Sequence, residues 1–144
     1  MDKQNKQLTV EEIEQYNRLT ERIIGCCIEV HRFLGPGLLE SSYEECLSRE
    51  FNLQGLKFER QTPLSINYKG TDLDCGYRMD IIVDHKIVLE LKSIEAVLPV
   101  HKAQLVTYLK HSGYHLGLLV NFNVDLMKNG IFRIVNNFDK HVSH

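Results

Sequence analysis

Three residues of this chain have types and spacing that could do chemistry: Asp80, Glu90 and Lys92. Glu90 and Lys92 lie in Ile87-Val88-Leu89-Glu90-Leu91-Lys92-Ser93, a mostly apolar and β-branched run that reads as a buried strand. Asp80 interrupts a second such run, Tyr77-Arg78-Met79-Asp80-Ile81-Ile82-Val83. Charged groups are almost never fully buried unless they are paired or bound to a metal. Side chains alternate across a strand, so Glu90 and Lys92 project side by side. Two carboxylates on neighbouring strands suit a hard divalent cation such as Mg²⁺ or Mn²⁺, which takes oxygen ligands and keeps several waters. The backbone carbonyl of Leu91 is a further oxygen donor at the same place. Such a cation acidifies a water and offsets phosphate charge. A lysine beside it adds positive charge where a phosphoryl transition state becomes more negative. Hydrolysis of a phosphodiester is a reaction whose division of labour suits acid, acid and lysine together. Singly these residues mean little: Glu-Leu-Lys usually marks an exposed strand with a solvated ion pair, and Asp80 alone reads as a strand-end turn residue. Their conjunction with apolar flanks carries the signal.

That chemistry constrains the hairpin joining the two strands. Asp80 and Glu90 must share a face to hold one ion. A strict two-residue turn at Asp84-His85 pairs Asp80 with Leu89 and sends Glu90 to the wrong side. The shared site therefore requires a loop with an odd number of residues, or a bulge.

The remaining elements must position this pair. Thr9-Val10-Glu11-Glu12 fits a capping box. A helical pattern follows through Ile13, Tyr16, Ile23, Ile24, Cys27, Val30 and Leu34, and Gly35-Pro36-Gly37 ends it. A second helix is expected over about residues 38–54, with Leu39, Tyr43, Cys46, Leu47 and Phe51 on its buried stripe. Glu40 borders that stripe; on periodicity alone it is a first-turn acid favoured by the helix dipole. Phe58 to Tyr68 reads as a strand in which Pro63 implies an edge or a bulge, and Lys69 to Asp72 as a turn. After the two charged strands, Pro99 introduces a helix over about residues 100–111. His115 to Phe122 is almost wholly apolar, as in a central strand buried on both faces, and Ile131 to Val135 is a short last strand. The order is α, α, β, β, β, α, β, β, in one expected domain over residues 1–144 with residues 1–8 frayed.

Composition limits the function classes. The chain has 144 residues, 43% hydrophobic and 25% charged, the profile of a soluble globular domain. It holds no apolar run of about 18 residues, and the polar start Met1 to Gln7 lacks a signal core, so a cytoplasmic protein with no membrane partner is expected. Cys26, Cys27, Cys46 and Cys75 lack CxxC spacing and read as reduced thiols. A formal charge of -2 argues against a polycationic nucleic-acid coat, but leaves room for a local phosphate-engaging patch.

Asp80, nine intervening residues and then Glu90-Leu91-Lys92 resemble the core of the PD-(D/E)XK nuclease superfamily. Gln104-Leu105-Val106-Thr107-Tyr108 is similar to the Gln-xxx-Tyr motif of its exonuclease-like branches, with Gln104 and Tyr108 one helical turn apart. Gly37-Leu38-Leu39-Glu40-Ser41-Ser42-Tyr43 resembles the motif of a small bacterial group named GxxExxY. His31 to Gly37 and Leu98 to Gln104 are similar to that group too, and the resemblance covers roughly residues 20–136. It implies an α/β fold of restriction-endonuclease type, a central mixed β-sheet flanked by helices. It implies Asp80 and Glu90 as metal-binding acids, Lys92 as the catalytic lysine, Glu40 as a helix-borne acid approaching the metal, and Gln104 and Tyr108 as site-lining residues. The proline that precedes the first acid in the superfamily is replaced by Met79.

Other polar residues carry two readings. His31, on or near the apolar face of the first helix, is a satisfied core histidine or a site-lining group. Arg78 binds phosphate or pairs with an acid. Tyr43 reads as core, and His101 and Lys102 as a solvated helix end. The expectation is a Mg²⁺- or Mn²⁺-dependent nuclease acting on DNA or RNA, with a homodimer compatible. The alternative is a nucleic-acid-binding or assembly module that keeps the fold without useful cleavage.

Overall fold

The computed structural model describes residues 7–138. Helices α1 (Val10–Leu34) and α2 (Glu40–Leu53) are followed by strands β1 (Phe58–Tyr68), β2 (Thr71–Val83) and β3 (Ile87–Lys92), helix α3 (Pro99–Ser112), β4 (Leu116–Asn121) and β5 (Ile131–Val135). A short 3₁₀ turn, Met127–Gly130, precedes β5. The expected capping box is present: Thr9 Oγ1 accepts from the Glu12 amide at 3.1 Å, and Glu12 Oε1 accepts from the Thr9 amide at 3.0 Å.

The strands form one sheet in the order β1-β2-β3-β4-β5. Every neighbour is antiparallel except β3 and β4, which run parallel because α3 carries the chain back across the sheet. The sheet is mixed and flanked by helices, the architecture of a restriction-endonuclease-like α/β fold. Helices α1 and α2 cover one face, packing Ile23, Val30, Tyr43, Leu47 and Phe51 against Ile81, Leu89, Leu91, Leu118 and Val120. Helix α3 covers the other, packing Leu105, Tyr108 and Leu109 against Met79, Ile82, Val88 and Leu119. All six residues of β4 are buried, as a strand sandwiched between helical layers must be. Gly117 admits α3 here: a Cβ at that position would lie 3.0 Å from Leu105 Cδ1. Gly117→Ala is expected to cost about 1–2 kcal/mol by overpacking, read as a lower midpoint of urea unfolding with an unchanged slope.

Pro63 lies on β1, the sheet's edge strand, as its missing amide requires. The β1–β2 register shifts between Leu64 and Ser65, where Cys75 and Gly76 bulge out of β2 with Gly76 at φ 80°. Four details depart from the sequence reading. β2 begins at Thr71, six residues before Tyr77, because Thr71 and Asp72 pair with Tyr68 and Asn67, so the turn is Lys69 and Gly70 alone rather than Lys69 to Asp72. Leu39 is 75% exposed because α2 begins one residue later and leaves it as the extended N-cap. Cys46 is exposed on the outer flank, so the buried stripe is Tyr43, Leu47 and Phe51, with Glu44 and Ser48 beside it. Leu8 is buried in the core under α1 rather than frayed, while residues 1–6 of that segment lie outside the described residues.

Candidate active site where two strands part

The loop between β2 and β3 decides whether the acids meet. It holds three residues, Asp84 to Lys86, because Val83 pairs with Ile87. Asp84 and His85 each take a left-handed φ of 52°, and the Lys86 amide donates to the Val83 carbonyl at 3.0 Å. The odd loop keeps even spacing across the hairpin, as the shared site requires: Ile81 opposes Leu89, and the same register carried one step on sets Asp80 opposite Glu90.

Regular pairing stops at that step. The Asp80 amide donates to Glu90 Oε1 at 3.1 Å, and the Leu91 amide donates to Asp80 Oδ2 at 2.8 Å. Each carboxylate thus takes the place of a backbone acceptor on the opposite strand, and the strands part around the pair. β2 also kinks here. Met79 and Ile82 both pack against α3 although they are three apart, a spacing that plain alternation forbids.

The pair is electrostatically loaded. Burial first, and the neighbouring Asp80 charge second, push the Glu90 carboxyl up to about 8, while the Asp80 amide and Lys92 pull it back. Asp80 is shifted upward too, by burial first, opposed by the Leu91 amide, with Glu44 adding to the rise. Two desolvated acids joined this closely titrate as a unit. Without a cation the pair retains a proton at neutral pH, held chiefly on Glu90. Lys92 is half-buried at the end of β3, in register with Asn121 of β4, and its charge acts on both acids.

The structure brings the other sequence-predicted residues to this place unequally. Gln104 Nε2 donates to the Tyr108 hydroxyl at 2.9 Å. Tyr108 is buried, meets Tyr77 edge-on at 5.8 Å, and has its hydroxyl raised by burial and then by the Glu90 charge, which sets it beside the acids. Glu40 opens α2, is exposed, and raises Glu90 through its charge. Among the described residues no group of three His, Cys, Asp or Glu side chains is set to hold a metal ion, so Glu40 does not close a triad with the other acids. The loop before it is firmly held. The Tyr43 hydroxyl donates to Gly35 O at 2.5 Å and accepts from the Leu38 amide at 3.2 Å, while Ser93 Oγ donates to Leu38 O at 2.5 Å. Tyr43 itself is core, stacked on Phe122 with ring centroids 4.4 Å apart. His31 is buried and its Nε2 sits 2.7 Å from the Val124 carbonyl, a structural engagement away from the acids' own hydrogen bonds. Arg78 Nη1 donates to the Gln61 carbonyl at 3.4 Å and makes no ion pair among the described residues. At the start of α3, His101 Nδ1 accepts from the Leu98 amide and Lys102 Nζ lies 4.2 Å over the Phe132 ring.

The sequence reading missed two features that support the site. Asn121, 2% exposed, accepts from the Ile94 and Asn123 amides through Oδ1 and donates to the Ile94 carbonyl through Nδ2. It pins the chain leaving Lys92. Its signal was a polar residue inside the apolar run 115–122. Behind the acids, buried Glu44 accepts from Arg60 Nε at 2.8 Å and Gln61 Nε2 at 2.7 Å, and Arg60 Nη2 reaches Glu45 at 2.9 Å. Two acids therefore occupy Arg60. No sequence pattern marks Glu44 or Gln61, because their meeting depends on how α2 crosses β1.

A family model of the PD-(D/E)XK nuclease superfamily matches residues 17–134. The chain belongs to that superfamily. The match spans α1 from its second turn to β5 and contains every residue of the acid pair and its surroundings. The crystal structure of SSO0001 is similar at 22% identity over 85% of this chain and 80% of that one, with a TM-score of 0.42. No curated protein matches this chain significantly. Among the described residues no helix of this nuclease-superfamily chain is long and apolar enough to cross a membrane.

The donor set fits a divalent cation. Asp80 and Glu90 offer two carboxylates that repel one another and lose hydration on burial, and a bound cation relieves both costs. Two carboxylates with water and substrate phosphate are a usual Mg²⁺ environment, so a third protein acid is not required.

Proposed function

We propose that the chain is a metal-dependent nuclease that hydrolyses phosphodiester bonds of DNA or RNA, and that within the superfamily its Gly37 to Tyr43 run groups it with the GxxExxY proteins of bacteria. The observation that carries the reading is the reciprocal lock in which Asp80 and Glu90 each accept the other strand's amide and so stand together beside Lys92, Glu90 buried and Asp80 half-buried. Asp80 and Glu90, with the Leu91 carbonyl as a further donor, would hold Mg²⁺ or Mn²⁺, which would supply positive charge to the phosphate and a more acidic water.

The chain's own residues do the rest. Lys92 places its ammonium where the attacking water and the phosphate oxygens meet, and stabilises charge as it develops. Asp80 and Glu90 would hold the cation that neutralises the phosphate. Tyr108, oriented by Gln104, walls the site on the α3 side and limits water. Glu40, exposed at the start of α2, adds negative charge that acts on Glu90. Arg78 lies on the exposed arm of β2, where a phosphate can reach it. His31 serves the packing of α1 on the β4 end rather than the substrate.

A panel of end-labelled DNA and RNA, single- and double-stranded, tests this reading with Mg²⁺, Mn²⁺ or EDTA. Cleavage of at least one substrate with metal and none with EDTA is the expected result. Binding with no cleavage under any of these conditions favours a nucleic-acid-binding or assembly module instead.

A further inference from the structure

Gln61 has an unusual backbone. Among the described residues other than glycine, five have a positive φ: Gln61, Lys69, Asp84, His85 and Asn137. Lys69, Asp84, His85 and Asn137 lie outside the strands, whereas Gln61, at φ 51°, lies within β1. Glutamine gains nothing locally from the left-handed region, where the Cβ crowds the backbone, and no turn explains it here. Strain of this kind persists only where the surroundings over-determine it, and it gathers at functional sites.

Those surroundings are on both sides of the residue. The Gln61 carbonyl accepts from Arg78, and the side-chain Nε2 lies 2.7 Å from Glu44 Oε1 and 3.5 Å from Asp80 Oδ1. A primary amide has two N–H donors, so one group serves two carboxylates. Glu44 is itself fixed by Arg60, which gives the amide a rigid anchor. The other Asp80 oxygen is tied to the Leu91 amide. The plane of the Asp80 carboxylate is thus set by one bond from β3 and one contact from β1.

We propose that Gln61 is a positioning residue for metal binding: held left-handed and anchored by Glu44, it orients the Asp80 carboxylate toward the cation. The inference rests on the reading of Asp80 and Glu90 as metal ligands. It implies that an unfavourable backbone is retained for the sake of the site.

Two variants separate this role from a merely structural one. Gln61→Gly removes the amide and relieves the backbone. Gln61→Met removes the amide but keeps the bulk and the strain. Mn²⁺ affinity is measured by calorimetry on the full chain, with thermal melts of the metal-free proteins alongside. The expected result is a loss of affinity of about 10- to 100-fold in both variants, the usual effect of removing a group that orients a metal ligand. The melting temperature of Gln61→Gly is expected to hold or to rise by about 2–4 °C. Affinity within about threefold of wild type in both variants would overturn the inference and leave the Asp80–Glu90 metal reading standing. Affinity that merely follows the melting temperature, preserved in Gln61→Gly and lost in Gln61→Met, would overturn it in favour of a structural role. A wild type that takes up no Mn²⁺ would overturn both readings together.

Discussion

Lys92→Ala is expected to lower turnover by roughly two to three orders of magnitude, the loss seen when one preorganised group is removed from a developing charge. Metal binding is expected to survive nearly intact. Lys92 is a cation and no ligand, and its pull on Asp80 and Glu90 is secondary to burial. Substrate affinity should fall only modestly, since one cationic contact is a small part of a phosphate-tracking surface. Single-turnover kinetics, anisotropy binding and Mn²⁺ calorimetry on wild type and variant, at equal salt, separate these effects. A variant that cleaves as fast as wild type would remove Lys92 from the mechanism. A variant that loses metal along with turnover would instead make it a structural partner of the acids.

Glu90→Gln is expected to stabilise the metal-free protein at alkaline pH while abolishing most metal binding. The sign follows from proton linkage. The Glu90 carboxyl ordinarily titrates near 4.5 and is raised to about 8 in the folded chain. Between those values the folded state holds more protons than the unfolded state, so stability falls as pH rises through that window and levels off above it. One pKa unit corresponds to about 1.4 kcal/mol, and a conservative share of the shift makes Glu90→Gln roughly 2–4 kcal/mol more stable than wild type above pH 8. Below about pH 4.5 the difference should vanish. The same proton makes metal uptake pH-dependent: binding must displace it, so wild-type affinity for Mn²⁺ should climb up to about tenfold per pH unit and flatten above roughly pH 8. Urea melts and calorimetry across pH 4–9 check both slopes. Flat stability through this range in wild type would show that Glu90 titrates normally and that the pair is not under charge strain.

The mutations read two kinds of information. The sequence by itself marked the candidate acids and lysine and most of the architecture. Each strand and helix was located because its apolar residues follow its period and because Thr9, Gly35-Pro36-Gly37 and Pro99 mark the ends of elements, but the first half of β2, Thr71 to Gly76, was not, since it is exposed on both faces. Asp80, Glu90 and Lys92 were legible because charge inside an apolar strand is costly and therefore conspicuous. The condition on the hairpin was legible because the strand period leaves only two faces, so placing two acids together requires an odd loop or a bulge. The sequence could not show which parity the loop adopts, since Asp84-His85 suits either a two-residue turn or one with Lys86 added. Nor could it show which acid of α2 lies behind Asp80. Glu40 was marked by its motif, yet it is Glu44, one turn later, that is buried and joined through Gln61 to the pair. Gln61 was invisible because a left-handed residue within a strand has no local signature when it is not glycine; its conformation is imposed by contacts with Glu44, Arg78 and Asp80, residues 17 to 19 positions away along the chain. Asn121 likewise looked like one polar interruption in an apolar strand, and only the crossover through α3 brings Ile94 back to its amide. Local periodicity encodes which residues are buried. How buried polar groups find their partners is decided by the crossing of elements distant in sequence, and tertiary structure alone supplies that.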